Sequence, residues 1–496
     1  MTTAILTIDQ GTTSSRAIIF DENFKPAFAA QQEYQQYYPA RGWVEHDPED
    51  IWETTVSVCQ EALAAAREKG LKVVGIGLVN QRETTLVWEK KTGKPVYNAI
   101  VWQDRRTANA CKALQQYEPW ITEKTGLRMD PYFSATKIKW ILDNVSGARG
   151  RAARGELAFG TVDSFLIWRL TGGKTHVTDT TNASRTNLFN LSTLQWDEEL
   201  LALFNIPAAM MPEIRHCADD FGLTEQHILS ESLPICGVAG DQQAALIGQG
   251  CFNKGETKTT FGTGSFALVN TGDRLTYSSH NLLTTVAYTL KEQTCYAIEG
   301  SIFVAGAAVQ WLRDSMGMLS NAAESEAIAS SVADDHGLVL VPAFTGLGAP
   351  YWSPQARGAI YGLTRSSTSA HVVRATLESV AYQTQDLVNS IKSDNIPVTC
   401  MKVDGGMVQN SWLCQYLADT LNVTVVRPEV METTALGAAF LAGLQLGMRE
   451  NLHDFATLNP TEAQFTSRID ETLRTQRKNR WNAAVQATLL MAKAEA

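Results

Sequence analysis

Ala4-Ile5-Leu6-Thr7-Ile8-Asp9-Gln10-Gly11-Thr12-Thr13-Ser14-Ser15-Arg16-Ala17-Ile18-Ile19-Phe20-Asp21 begins as an apolar run, breaks into a short polar turn and returns as a second apolar run. Apolar runs of this length bounded by turn residues read as buried strands. The unit is therefore strand (4–9), tight turn, strand (16–21). Lys258-Thr259-Thr260-Phe261-Gly262-Thr263-Gly264-Ser265-Phe266-Ala267-Leu268-Val269 repeats it in the second half of the chain. Phosphate groups need backbone N–H donors, hydroxyls and close backbone approach, which Gly- and Thr-rich turns supply without a lysine. Either turn alone is also what a plain hairpin would show. One in each half is a more specific pattern.

The rest of the chain extends the repeat. Asp47-Pro48-Glu49-Asp50-Ile51-Trp52 starts a helix: Asp as cap, Pro at the first helical position, acids in the first turn. That helix stops at Gly70, and residues 73–80 follow as a buried strand. Pro234-Ile235-Cys236-Gly237-Val238-Ala239 reads as another, with a tightly packed helix after Gly240-Asp241-Gln242-Gln243. This places Asp241 at the carboxyl end of a strand and the amino end of a helix, where α/β proteins bind ligands. A helix terminus favours the ionised acid, and an ionised carboxylate facing a crevice is a candidate general base. The competing role is an N-cap, which Asp fills well. Residues 399–406 read as a strand entering the turn Asp404-Gly405-Gly406, with a helix from about Val408. The expectation is an α/β protein of two related domains, 1–250 and 251–496, meeting near Gly248 to Lys254 in a tight hinge over a cleft.

Three motifs lack their required context. Gly173-Lys174-Thr175 has Trp168 where a P-loop needs its first glycine. Residues 262–267 fit a loose dinucleotide fingerprint, but a β-rich run follows where a helix is required. Asp179, among Thr178, Thr180 and Thr181, reads as a solvated turn and not as a metal loop.

Composition narrows the classes. The chain has 496 residues, 44% of them apolar and 19% charged, with a net charge of −10. That is an ordinary globular composition. The acidic balance argues against a nucleic-acid footprint. No apolar run approaches membrane-spanning length, so membrane insertion is not expected, and the start lacks the basic region of a signal peptide. Eight scattered cysteines without a C-x-x-C pair fit a reducing cytoplasm.

The paired turns resemble those of the actin, sugar-kinase and heat-shock ATPase superfamily, in which two turns face one nucleotide. Residues 9–16 are similar to the opening of the FGGY carbohydrate kinases, and of the glycerol kinases among them. Residues 132–144, Tyr132-Phe133-Ser134-Ala135-Thr136-Lys137 onward, match the first FGGY signature. Gly358 to Leu363 with His371 to Glu378 match the second. The resemblance implies two actin/ribonuclease H-like domains with the catalytic cleft between them. It implies ATP-dependent phosphorylation of glycerol to sn-glycerol 3-phosphate, the first step of glycerol catabolism, with ATP and Mg²⁺. It also implies a cytoplasmic homodimer or homotetramer.

Carried over by position, the resemblance assigns Arg82, Glu83 and Tyr132 to the polyol hydroxyls. Trp102 and Phe266 form an aromatic wall against its carbons, and Asp241 and Gln242 complete the pocket. Asp241 becomes the catalytic base. Thr12, Thr13, Ser14, Arg16, Thr263, Gly306, Gln310, Gly406 and Asn410 fall around the nucleotide, and Asp9 helps hold Mg²⁺. In some relatives a glycine-rich, arginine-containing loop binds fructose 1,6-bisphosphate; here Leu223 to Leu233 is neither glycine-rich nor basic. Two rival readings are a kinase of another small polyol or ketose, and an actin-like nucleotide-dependent assembly protein.

Overall fold

The computed structural model describes residues 2–291, 293–333 and 337–494. The opening unit forms β1 (Thr2–Gln10) and β2 (Ser14–Asp21), joined by the Gly11 turn and followed by β3 (Pro26–Glu33). After helix α1 (Pro48–Glu68) come β4 (Leu71–Asn80) and, far along the chain, β5 (Ile235–Gly240), which runs into α2 (Asp241–Gly248). The sheet order is β5-β4-β1-β2-β3; β1 pairs antiparallel with β2 and parallel with β4.

The second sheet repeats this order. Its strands are β6 (Glu256–Phe261), β7 (Ser265–Gly272), β8 (Leu283–Leu290), β9 (Gln293–Ile302), β10 (Cys400–Asp404), β11 (Thr424–Pro428) and β12 (Thr461–Phe465). They lie in the order β8-β9-β7-β6-β10-β11-β12. Here β6 stands where β1 stood: antiparallel to its hairpin partner β7, parallel to β10. Three antiparallel strands followed by parallel crossovers, made twice, is the ribonuclease H-like arrangement of actin-like ATPases.

Local chemistry explains the elements. Asp47 caps α1 by accepting from the Glu49 N–H at 2.9 Å, with Pro48 just inside; such a cap contributes about 1 kcal/mol. Residues 4–8 of β1 are buried throughout because both faces are covered, by α1 and by α5 (Thr433–Gln445). The expected helix near Val408 begins later. Residues Gly406–Gln409 form a single 3₁₀ turn, and the helix proper is Ser411–Leu421, capped by Asn410. Gly405, at φ +92°, sets that turn, since a Cβ there would lie 2.5 Å from the Phe261 carbonyl oxygen. Asp179 is not a solvated turn. It is fully buried and caps the short helix Thr180–Ala183, because its two oxygens take the otherwise unpaired Thr181 and Asn182 N–H groups.

Although α5 comes from late in the chain, it packs on β4 and β5 of the first sheet and crosses α2. The sequence Thr433-Thr434-Ala435-Leu436-Gly437-Ala438-Ala439 permits the approach. A Cβ on Gly437 would sit 1.8 Å from the Ala244 carbonyl oxygen, and one on Gly248 would sit 1.9 Å from that of Thr433. Both obstacles are backbone, so the helices themselves would have to move. Gly437→Ala should therefore cost about 1–3 kcal/mol, the range for overpacking. Gly406→Ala, with nothing within 4 Å of the added carbon, should stay within about 0.5 kcal/mol. Chemical denaturation of the two variants checks the contrast.

Candidate active site

Asp241 is the first residue of α2, and Gly240 occupies the cap position without a side-chain bond. Its Oδ1 accepts from the Gln242 N–H at 2.7 Å and pairs with Arg82 Nε at 3.1 Å, and its side chain is about one-third exposed. The carboxylate is thus not absorbed as a conventional cap. Arg82 and Glu83 follow β4 and are buried rather than solvated. Glu83 takes the left-handed backbone at φ +59°, a conformation uncommon outside glycine, and its carbonyl oxygen accepts from Ser134 and from Lys137 Nζ, each at 3.1 Å. These contacts hold the backbone of the turn that carries both side chains.

Trp102 connects the two halves. Its indole N–H donates to Thr12 Oγ1 at 3.0 Å on the first turn. Its ring lies edge-on to Tyr132 at 5.8 Å and to Phe266 at 6.4 Å, just beyond the second turn. The Tyr132 hydroxyl accepts a long bond, 3.4 Å, from Arg82 Nη2. Gln242 Oε1 accepts from Lys258 Nζ at 2.5 Å, which leaves the Gln242 amide N–H₂ group as a donor. Thus Arg82, Glu83, Trp102, Tyr132, Asp241, Gln242 and Phe266 are brought together beside the first turn.

In that turn the Gly11 N–H donates to the Ser14 carbonyl at 2.9 Å, Thr13 is exposed, and Ser14 Oγ accepts from Gln31. Asp9 and Arg16 are cross-strand partners. Arg16 stands 3.8 Å from Asp9 and 2.5 Å from Glu432. Burial pushes the Asp9 carboxyl up to about 6; Arg16 opposes this, and Glu432 and Asp241 add to it. Around the second turn, the Gly306 N–H donates to the Gly262 carbonyl at 2.9 Å, and the Ala305 and Ala307 N–H groups donate to that of Thr263. A Cβ on Gly306 would lie 2.5 Å from the Gly262 carbonyl oxygen and 3.5 Å from Met407 Cγ. The turn, the start of helix α3 (Gly306–Asp314) and residues 405–410 therefore meet. Gln310 is exposed one turn along α3, Gly406 faces open space, and Asn410 reaches Ser325 Oγ at 3.3 Å while capping α4 (Ser411–Leu421).

Among the described residues no cluster of three or more His, Cys, Asp or Glu is assembled for a metal. A divalent cation bound together with phosphates would need only one or two protein carboxylates; the Asp9 carboxylate lies at the end of β1, beside the first turn. The raised Asp9 carboxyl has a stability consequence. An acid titrating near 6 when folded and at its ordinary 3.8 when unfolded favours folding below the lower value. That contribution is lost as pH rises through about 6. Ionised Asp9 thus costs the fold up to about 3 kcal/mol at neutral pH. Asp9→Asn is expected to unfold at a higher temperature than the parent at pH 7.5, with the advantage fading towards pH 4. Thermal melts across that range read it directly.

Sequence reasoning passes over Arg185, Gln243, Lys258 and Glu299. Arg185 and Glu299 are fully buried and pair with Arg82 and Glu83. Glu299 could have been noticed as a lone acid in a β-rich run, Tyr296-Ala297-Ile298-Glu299-Gly300. Arg185, in the polar stretch Ser184-Arg185-Thr186-Asn187, carries no such signal.

The N-terminal domain of the FGGY family of carbohydrate kinases matches residues 4–248, and the C-terminal domain of that family matches 257–446. The chain belongs to the FGGY family of carbohydrate kinases. Within it, the glycerol kinase of Alteromonas mediterranea is 56% identical over 484 residues, 97% of this chain and 98% of its own. Glycerol kinase 1 of Pseudomonas aeruginosa is 54% identical with the same coverage. The crystal structure of Plasmodium falciparum glycerol kinase with ADP superposes with a TM-score of 0.95 at 37% identity, covering 98% of both chains. The gluconate kinase of Lactobacillus acidophilus, at 21% identity and a TM-score of 0.90, shares the fold.

Proposed function

We propose that the chain catalyses ATP-dependent phosphorylation of glycerol to sn-glycerol 3-phosphate. The observation that carries this is the convergence of Arg82, Glu83, Trp102, Tyr132 and Asp241 beside the first turn, in a chain more than half identical to curated glycerol kinases across nearly its whole length. Glycerol has three hydroxyls on a short carbon chain. Arg82 supplies donors, Glu83 accepts, and Trp102 and Phe266 form an aromatic wall against the carbons. Asp241 takes the proton of a primary hydroxyl as its oxygen bonds to the γ-phosphorus and the bond to ADP breaks. Most of the rate comes from positioning and fixed charge. Arg16 and the N–H groups of the two turns meet the phosphoryl oxygens. Asp9 would help hold Mg²⁺, which would supply charge to offset that of the phosphates.

On this reading residues 1–250 carry the acceptor pocket, the first turn and the base, and 251–496 the second turn and the adenosine contacts. Helix α5 from the latter is seated on the former's sheet. The enzyme is proposed to work in the cytoplasm as a homodimer or homotetramer. ADP release measured in parallel with glycerol, dihydroxyacetone, xylulose, gluconate and no acceptor tests the reading. Strong stimulation by glycerol is expected. A preference for another acceptor would overturn the roles of Arg82, Glu83 and Trp102, and acceptor-independent turnover with polymerisation would move the chain to the actin-like class.

A further inference from the structure

Four buried charges close a ring that includes Arg82 and Glu83. Glu299 bridges two arginines: its Oε2 accepts from Arg82 Nη1 at 2.5 Å and its Oε1 from Arg185 Nη2 at 2.8 Å. Arg185 in turn bridges two acids, its Nε donating to Glu83 Oε1 at 2.7 Å. Arg82 Nε stands 3.9 Å from that same Glu83 oxygen. The Arg185 guanidinium lies 5.4 Å from the Phe133 ring and 5.7 Å from that of Tyr132. Its Nη1 is buried without a hydrogen-bond partner among the described residues. Buried ion pairs seldom improve on well-packed apolar residues for stability, and an unpaired buried N–H is a cost. What such a ring does supply is fixed direction, which a site needs from the groups behind it.

We propose that Glu299 and Arg185 are positioning residues for the acceptor site, acting through Arg82 and Glu83; this rests on the reading of those two as polyol contacts. Glu299 and Gln243, whose Oε1 lies 3.2 Å from Arg82 Nη1, occupy the inner end of the Arg82 guanidinium. Only Nε and Nη2 are left to face Asp241 and Tyr132. Without Glu299 the fork is free to close on Asp241 through two nitrogens, the preferred carboxylate geometry, and that contact would tie up the base. Arg185 holds Oε1 of Glu83, which reserves Oε2 for a substrate hydroxyl. Glu299 lies on β9 of the second sheet, whereas Arg82, Glu83 and Arg185 come from the first half of the chain. The acceptor geometry is therefore set jointly by both halves, through residues that touch no substrate.

Charge-conserving variants separate positioning from folding. Glu299→Asp keeps the charge but shortens the reach, and Arg185→Lys keeps the charge but loses the fork. Each is expected to raise the KM for glycerol roughly ten- to a hundredfold, as small misplacements of binding groups do, with the KM for ATP unchanged. Folded variants with a lowered melting temperature and the parent's glycerol KM would show a purely structural role and overturn the proposal. If either fails to fold, Glu299→Gln, which keeps the shape and one acceptor oxygen, carries the same expectation. The parent enzyme, assayed alongside, separates the two levels. Glycerol-stimulated parent turnover with unaffected variants sinks the positioning role alone, and an unstimulated parent sinks the acceptor reading beneath it.

Discussion

Asp241→Asn is expected to lower turnover by about 10²- to 10⁴-fold, the usual range for loss of a general base, while the protein folds as before. The folding half follows from the surroundings of the side chain. The asparagine oxygen can still accept from the Gln242 N–H and from Arg82 Nε, the two contacts Asp241 Oδ1 now makes. The group is partly exposed, so removing its charge leaves no buried vacancy. The catalytic half follows from the chemistry: a primary alcohol must lose its proton as it attacks phosphorus, and an amide does not take one. Steady-state kinetics with saturating glycerol and ATP, beside a thermal melt, measures both. A folded variant with parental turnover would remove Asp241 from the reaction and leave it as the counter-charge of Arg82.

Arg185→Ala carries the other large effect, this one on stability. It would leave Glu83 and Glu299 buried with Arg82 as their remaining cationic partner among the ring's four members. Breaking a buried pair from one side costs about 3–5 kcal/mol. The sign of its pH dependence can be worked out. In the parent, burial pushes the Glu83 carboxyl up despite Arg82 and Arg185, and burial likewise acts on Glu299, where the two arginines win and hold it low. Removing Arg185 raises both. A carboxyl raised in the folded state stabilises at low pH and loses that contribution as pH rises, so the deficit against the parent should widen as pH rises. Urea unfolding at several pH values reads the size and the trend together; a pH-independent deficit below about 1 kcal/mol would mean the ring is not held by charge.

Much of the site was legible because it lies on local patterns. The turns at Gly11 and Gly262 sit between apolar strands, and the repeat of one unit in the other is visible in the order of residues. Asp241 was legible for the same reason, as an acid where a buried strand becomes a helix. Other readings stopped at the limit of local information. Asp179 looks like a polar turn because Thr178, Thr180 and Thr181 surround it, yet the fold closes over it and its oxygens satisfy a helix start. The glycine pair 405–406 divides its roles only in three dimensions: Gly405 is required by the Phe261 backbone, while Gly406 borders open space.

From its sequence alone this chain declares an α/β protein with two phosphate-type turns, a candidate base and a kinase-family signature. Strand, turn and helix signals are short-range, and each is written in neighbouring residues. Only the tertiary structure places α5 across the first sheet, joins Thr12 to Phe266 through Trp102, and sets Glu299 beneath Arg82, 217 residues away in the chain. Those relations depend on which surfaces are buried together, and a buried charge has no pattern in one dimension to announce its partner.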